Sequence, residues 1–96
     1  MAKWTINYSN RQIGKDGQFY GNLNLSWLPS TILSVQSPDG VICEIEHGDR
    51  ATETNTHNDE GVATSSLSWW SNVSTTWQAA YDAEQAEIAA SEDTPE

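Results

Sequence analysis

The chain has 96 residues, which is enough for one domain, and only 36% of them are hydrophobic. Its net charge is −10, and residues 51–96 contain nine acidic side chains but neither Lys nor Arg. Direct binding to nucleic acid requires cations that neutralise phosphate, so we expect no direct nucleic-acid binding. The sequence has one cysteine, no charged apolar leader and no apolar run of about 18 residues. We therefore expect a reduced, intracellular chain that makes no membrane contact.

Alternating apolar residues predict short β-strands in the first half of the chain. Trp4, Ile6 and Tyr8 alternate with polar residues, which is the period of a half-buried strand. Two glycines and an aspartate predict a turn at 14–17, and Pro29 ends the strand that follows it. In that strand we expect Phe19, Leu23, Leu25 and Trp27 to project to one side. The predicted strands of this half span 4–8, 10–13, 18–27, 31–36 and 41–46.

The last two of these strands predict a hairpin around Ser37-Pro38-Asp39-Gly40. Proline presets the backbone angle of the first central turn position, and Gly40 accepts a left-handed conformation. We expect a further turn at 47–49 and a loop at 58–61. Residues 51–56 are compatible with an exposed edge strand, but the sequence leaves open whether 51–66 is a strand or an irregular segment.

Aromatic residues at helical spacing predict an α-helix in the last third of the chain. Its apolar face contains residues three, four or seven apart. The helix should begin near Ser68, or at Ser66, and should run to about residue 90. Its last turns carry acidic residues, which the helix dipole disfavours, so we expect fraying after Ile88 and a disordered acidic tail at 91–96. The predicted domain spans 1–90. The apolar face of the predicted helix comprises Trp70, Val73, Trp77, Tyr81 and Ile88.

No motif in the sequence predicts catalysis or a bound cofactor. His47 and His57 lie ten residues apart among several carboxylates, but no spacing matches a known set of zinc or manganese ligands, and surface histidines explain them. Cys43 alternates with apolar residues and is most simply a buried hydrophobic side chain. We predict no catalytic, cofactor-binding or metal-binding residues, and no enzyme.

Two interpretations remain open for the features that suggest partner binding. Trp69 and Trp70 point about 100° apart on a helix. Either both rings cover the sheet, or Trp69 stays partly exposed as an anchor for a partner. The acidic half is either a solvated face or a surface for a basic partner, a DNA mimic included. The candidate interaction residues are Trp69, Glu53, Asp59 and Glu60.

Short motifs spread over residues 28–88 carry a family resemblance. They are Leu28-Pro29-Ser30, the strand ending at Gln36, the Asp39-Gly40 turn, Glu44-Ile45-Glu46, Trp69-Trp70 and Ala79-Ala80-Tyr81-Asp82. In these the chain resembles small accessory proteins of tailed bacteriophages, especially marine and cyanobacterial ones. The resemblance implies a viral protein encoded near tail or virion genes and located in the host cytoplasm or the virion. It implies no functional residue.

We expect an α+β fold in which an antiparallel β-meander of four to six short strands packs one face against the C-terminal helix. The leading hypothesis is a non-enzymatic, tail-associated protein or assembly factor that acts through self-association or a protein partner. The alternative is a soluble acidic inhibitor of a host protein. The predicted inward residues of the sheet are Trp4, Ile6, Leu25, Ile32, Val35, Cys43 and Ile45.

Overall fold

The computed structural model describes residues 2–92 and has the predicted α+β fold, an antiparallel sheet with one C-terminal helix. Six strands are present, the upper limit of the expectation. They are β1 (Trp4–Asn7), β2 (Gln12–Lys15), β3 (Gln18–Tyr20), β4 (Ile32–Ser37), β5 (Ile42–Asp49) and β6 (Thr54–Ala63). A short 3-10 helix (Thr64–Ser66) leads into the helix α1 (Trp70–Glu92).

The sheet consists of two three-stranded meanders that pair through β1 and β4. The strand order is β3-β2-β1-β4-β5-β6, and every neighbouring pair is antiparallel. Because β3 and β4 are far apart in this order, the connection at residues 21–31 crosses the end of the sheet. It is held there by a hydrogen bond from the Leu23 amide to the Arg11 carbonyl oxygen, at 3.0 Å.

The core lies between one face of the sheet and the elements that cross it. Strand register places Ile13, Ile6, Val35 and Ile45 side by side across four strands, and each of them is at most 3% exposed. The prediction that seven residues face inward is confirmed for all seven. The core as a whole comprises Trp4, Ile6, Ile13, Leu25, Leu28, Ile32, Val35, Cys43, Ile45, Trp69, Val73 and Trp77.

The helix packs its first three turns against the sheet and then extends beyond it. Val73 and Trp77 are buried, and the Trp77 indole N–H donates a hydrogen bond to the Gln18 carbonyl oxygen at 3.0 Å. Tyr81 stacks on Trp77, with ring centroids 5.2 Å apart. Ile88 is 44% exposed, so its assignment to the packed face is wrong. The helix continues to Glu92, and residues 93–96 of the predicted tail lie outside the described residues.

The predicted strand at 18–27 is only half correct. Strand β3 ends at Tyr20, and Asn22 takes a left-handed backbone angle (φ 57°) that turns the chain into the connection. Phe19 pairs with Gly14 and is 47% exposed. Its ring lies over Gly14, in the space that a side chain at that position would occupy. Phe19 therefore belongs to the open face of the sheet, while Tyr20 faces the helix and contacts Trp77.

Two further predictions, which concern strands β5 and β6, are wrong. Residues 47–49 form the end of β5 instead of a turn, and residues 58–61 lie within β6 instead of a loop. Both segments are rich in polar and turn-forming residues, which masked their strand character. Pairing with β5 overrides these weak local preferences in β6.

The hairpin of β4 and β5 is confirmed, and its turn is held by side-chain hydrogen bonds. The Asp39 carboxylate accepts hydrogen bonds from the amides of Ile42 and Val41, at 3.0 and 2.9 Å. The Gly40 amide donates to the Ser37 hydroxyl oxygen at 2.8 Å, and Gly40 is left-handed (φ 78°) as predicted. The stability of the turn should therefore depend on the ionisation of Asp39.

Acidification should weaken the fold partly through Asp39. The Ile42 amide first, and then that of Val41, holds the pKa of the Asp39 carboxyl below its ordinary value. Such a group stabilises the fold above its unfolded pKa, and this contribution disappears as the pH falls below about 4. Urea unfolding of the wild type and of Asp39→Asn, at about pH 6 and about pH 3, measures the effect. Asn keeps the acceptor oxygen without the titration, so stability should fall less steeply in the variant. Equal falls would contradict the prediction.

Candidate functional site

The hairpin of β5 and β6 contains all three acidic residues predicted to meet a partner, and β6 forms one edge of the sheet. Strand β6 pairs with β5 alone, and no other strand of residues 2–92 lies beside it. Every residue from 51 to 60 is exposed. A ten-residue edge strand presents backbone N–H and C=O groups to solvent, and an extended peptide adds to a sheet at such an edge.

Two irregularities shape this hairpin. The register shifts between Cys43 and Ile45 and again between His47 and Gly48. Gly61, with φ 64°, lies opposite the first shift. At the second, Gly48 approaches the backbone so closely that a Cβ atom there would lie 2.1 Å from the Thr54 carbonyl oxygen. Bulges of this kind increase strand twist and set which side chains of the two strands meet.

The three acidic candidates occupy different parts of the hairpin. Glu53 lies just before β6, in a left-handed conformation (φ 55°). Asp59 lies opposite Ile45, and its carboxylate contacts His47. Glu60 follows it on the exposed strand. The residues are therefore placed along one edge of the molecule, but they do not form a single cluster.

Trp69 is placed in the core. It is 7% exposed, and its ring stacks on that of Trp27 with centroids 6.0 Å apart and an interplanar angle of 26°. Trp70 is half-buried and meets Trp4 edge to face at 6.5 Å. In this structure both rings cover the sheet, which matches the first of the two interpretations, and Trp69 offers no exposed anchor.

Three side chains, one from β5 and two from β6, meet on the core-facing side of this hairpin. His47 and His57 pair across β5 and β6, and their rings stack with centroids 4.6 Å apart and planes inclined by 8°. His47 Nε2 lies 2.7 Å from Asp59 Oδ2. One potential ligand atom from each of His47, His57 and Asp59 lies within 4.8 Å of the others. We call these residues the His-His-Asp cluster.

Threonine hydroxyls contact the Nδ1 atom of each imidazole ring. Thr31 Oγ1 lies 3.1 Å from His47 Nδ1, and Thr56 Oγ1 lies 3.0 Å from His57 Nδ1. His47 retains only 14% side-chain exposure, whereas Asp59 retains 52%. His47 is therefore fixed at both nitrogens, and the other two members of the cluster are accessible to solvent.

The sequence shows His47 and His57 among carboxylates, but a metal site was rejected because no ligand spacing matched and because both histidines were predicted to lie in turns or loops. In a strand, His57 and Asp59 are two residues apart and share a face. This two-residue spacing was the signal in the sequence that could have placed His57 beside Asp59. It indicates a shared face only if the segment is a strand. The pairing of His57 with His47 depends in addition on the register shifts of β5 and β6, for which the sequence has no marker except two glycines.

The open face of the sheet carries a shallow concavity of about 540 Å³, lined mainly by polar residues. Arg50 lies at its rim, with its guanidinium 3.6 Å from the centroid of the Tyr8 ring. The same guanidinium donates hydrogen bonds to the carbonyl oxygens of Ile32 at 3.0 Å and Pro29 at 2.6 Å. Arg50 therefore links the 21–31 connection to the end of β5, which is a structural role.

Cys43 is 2% exposed, and burial raises the pKa of its thiol. A raised pKa disfavours the thiolate, which is the nucleophilic form of cysteine.

Among the described residues, no helix is both long enough and apolar enough to cross a membrane. Comparison of the chain with protein-family models, with curated proteins and with solved structures found no match.

Proposed function

We propose that this protein acts through protein–protein contacts and that the exposed edge of β6 receives an extended, basic segment of a partner protein. The observation that carries the proposal is the free ten-residue edge strand, all of whose residues up to Glu60 are exposed. Main-chain hydrogen bonds along such an edge supply affinity that does not depend on the partner's side chains.

Charge selects the type of partner. Glu53, Asp59 and Glu60 lie along this edge, and residues 51–92 contain no Lys or Arg. A basic strand meets complementary charge there, and its association is accelerated by electrostatic attraction. A second copy of the chain meets like charge, which disfavours pairing of two β6 strands. The occupant that fits this edge is therefore a partner strand rich in Lys or Arg.

The resemblance to tailed-phage proteins supports a role as a non-enzymatic accessory protein, either a tail or virion component or an assembly factor. In this role the partner strand belongs to another phage protein. The buried Cys43 and the structural hydrogen bonds of Arg50 are consistent with a protein that works by contact.

A second candidate function is the soluble inhibition of a host protein. The exposure of all three acidic candidates on one hairpin favours it, since such a surface can occupy a basic site. Light scattering coupled to size exclusion, at low and high salt, separates the two. A salt-independent oligomer, assembled through a surface other than the β6 edge, supports the structural role. If the chain is a monomer, the salt dependence of partner binding distinguishes the two functions. Inhibitor binding should also weaken steeply with salt.

The edge of β6 can be tested by NMR with two synthetic peptides. One alternates Lys with Val or Thr, and the matched control has Glu in place of every Lys. We expect the basic peptide to shift the amide resonances of β6 in ¹⁵N-labelled protein, and the acidic peptide to leave them unchanged. Replacing both Glu53 and Glu60 with Gln should weaken binding of the basic peptide about threefold to tenfold, since exposed charges contribute modestly.

Shifts confined to α1 or to the open face of the sheet would contradict the proposal, as would equal responses to the two peptides. His57→Gln serves as the control variant on the same strand, because it changes an exposed side chain without altering the acidic charge. Its response to the basic peptide should match that of the wild type.

A further inference from the structure

We propose that the His-His-Asp cluster binds one divalent transition-metal ion, with Zn²⁺ preferred. The ligands are Nε2 of His47, Nε2 of His57 and a carboxylate oxygen of Asp59. This site goes beyond the proposed partner binding: it shares Asp59 with the acidic edge of β6, but metal binding does not require a bound partner.

The chemistry of the three donors selects the metal. Two imidazole nitrogens and one carboxylate oxygen suit Zn²⁺, whereas Ca²⁺ and Mg²⁺ favour sites built from oxygen alone. A tetrahedral zinc ion with bonds of about 2.0–2.1 Å separates its ligand atoms by about 3.3 Å. His47 Nε2 and Asp59 Oδ2 are 2.7 Å apart, and the three donors lie within 4.8 Å of one another. Changes of about 0.6–1.5 Å in these separations, together with a rotation of the His57 ring, would therefore convert the cluster into a coordination sphere.

His47 is already oriented for this role. Without metal, the Nε2–H group of His47 donates to the Asp59 carboxylate, and Thr31 Oγ1 contacts Nδ1. Zinc would replace the proton on Nε2, and with its proton on Nδ1 the ring would then donate a hydrogen bond to Thr31 Oγ1. Metal-bound histidines usually have such a partner on the second nitrogen, which fixes the tautomer and the ring orientation. The low exposure of His47 further restricts the movement of its ring.

His57 must turn to complete the site. The two imidazole planes are nearly parallel, so their Nε2 lone pairs do not converge on one point. His57 is exposed, and rotation about its side-chain bonds breaks the ring stack and the contact with Thr56. Asp59 is also free to adjust, because half of its side chain is exposed. The bound ion would then link β5 to β6 and leave a fourth position for water.

Isothermal titration of the untagged chain with zinc chloride, after treatment with a chelator, tests the site. We expect one saturable ion per chain with micromolar affinity. His57→Gln and Asp59→Asn should each weaken binding at least tenfold, and Thr31→Val should weaken it about tenfold through the orientation of His47. Glu60→Gln is the matched control, because it removes the same charge from the neighbouring residue. Its affinity should equal that of the wild type.

Two further measurements use the same proteins. Zinc should raise the melting temperature of the wild type but not that of His57→Gln, because only a ligand of the folded state stabilises it. Co²⁺ in place of zinc should give the intense visible absorption of a four-coordinate site. Circular dichroism of each variant establishes that it is folded.

Three results would overturn the proposal. The first is the absence of saturable zinc binding, and the second is unchanged affinity in His57→Gln and Asp59→Asn. The third is an equal loss in Asp59→Asn and Glu60→Gln, which would indicate diffuse attraction to acidic residues. Calcium chloride should produce no saturable heat, and binding as tight as that of zinc would also contradict the proposed donor set.

Discussion

Replacement of Trp77 with Ala should lower the free energy of unfolding by about 3–5 kcal/mol, the usual cost of removing a buried indole ring. Trp77 is 5% exposed, stacks on Tyr81, and meets Trp4 and Tyr20 edge to face at 6.2 and 5.6 Å. Small domains are stable by about 5–15 kcal/mol, so this loss removes a large part of the total. Urea denaturation followed by circular dichroism measures it.

Two variants separate the contributions of Trp77. Trp77→Phe keeps an aromatic ring but loses the N–H that donates to the Gln18 carbonyl oxygen, so it should cost about 1–3 kcal/mol. Ile88→Ala is the control on the same helix, and its cost should stay within about 0.5 kcal/mol because Ile88 lies beyond the sheet. Similar losses in Trp77→Ala and Ile88→Ala would show that the helix does not pack as described.

The second large effect is expected from Gly48→Ala, which should destabilise the fold by about 3 kcal/mol. An added Cβ would lie 2.1 Å from the Thr54 carbonyl oxygen and 2.6 Å from Leu33 Cδ1. The leucine side chain can move, but the backbone oxygen moves only if β5 and β6 separate at this end. We therefore expect lost pairing of β6 in addition to lost stability. Hydrogen exchange of the β6 amides, compared with that of β1, measures the local effect.

Gly21→Ala is the matched control for this substitution. Its backbone is not left-handed, and the nearest atom to an added Cβ is the Asn10 carbonyl oxygen at 3.9 Å. Its stability should change by no more than about 0.5 kcal/mol. If Gly48→Ala behaved like Gly21→Ala, the close approach of β5 and β6 at Thr54 would be incorrect.

Local sequence patterns were sufficient where neighbouring residues decide the structure. The two-residue alternation of Trp4 and Ile6 predicted β1, and the spacing of Val73 and Trp77 predicted the packed face of the helix. The turn at Asp39 was predictable because its hydrogen bonds join residues no more than three positions apart. The inward residues that lie in strands were identified for the same reason, since strand periodicity assigns a face without reference to partners.

Patterns failed where a distant contact outweighed a local preference. The apolar spacing in residues 18–27 resembled a continuous strand, yet Leu25 reaches the core from an irregular connection. The polar residues of β6 have weak strand preference, and they form a strand because β5 offers hydrogen bonds. Whether Trp69 or Trp70 is the more buried depends on Trp27, which the fold brings against Trp69 from 42 positions away.

The sequence by itself determined the fold class, the inward residues of the strands, the packing of Val73 and Trp77 and the acidic character of the second half, because composition and short-range periodicity are properties of the chain. Only the tertiary structure decided the strand order, the free edge at β6 and the meeting of His47, His57 and Asp59. Each of these depends on which strands pair and in which register. Register is a balance of many weak contacts and a few backbone approaches, such as that at Gly48, between segments distant in sequence.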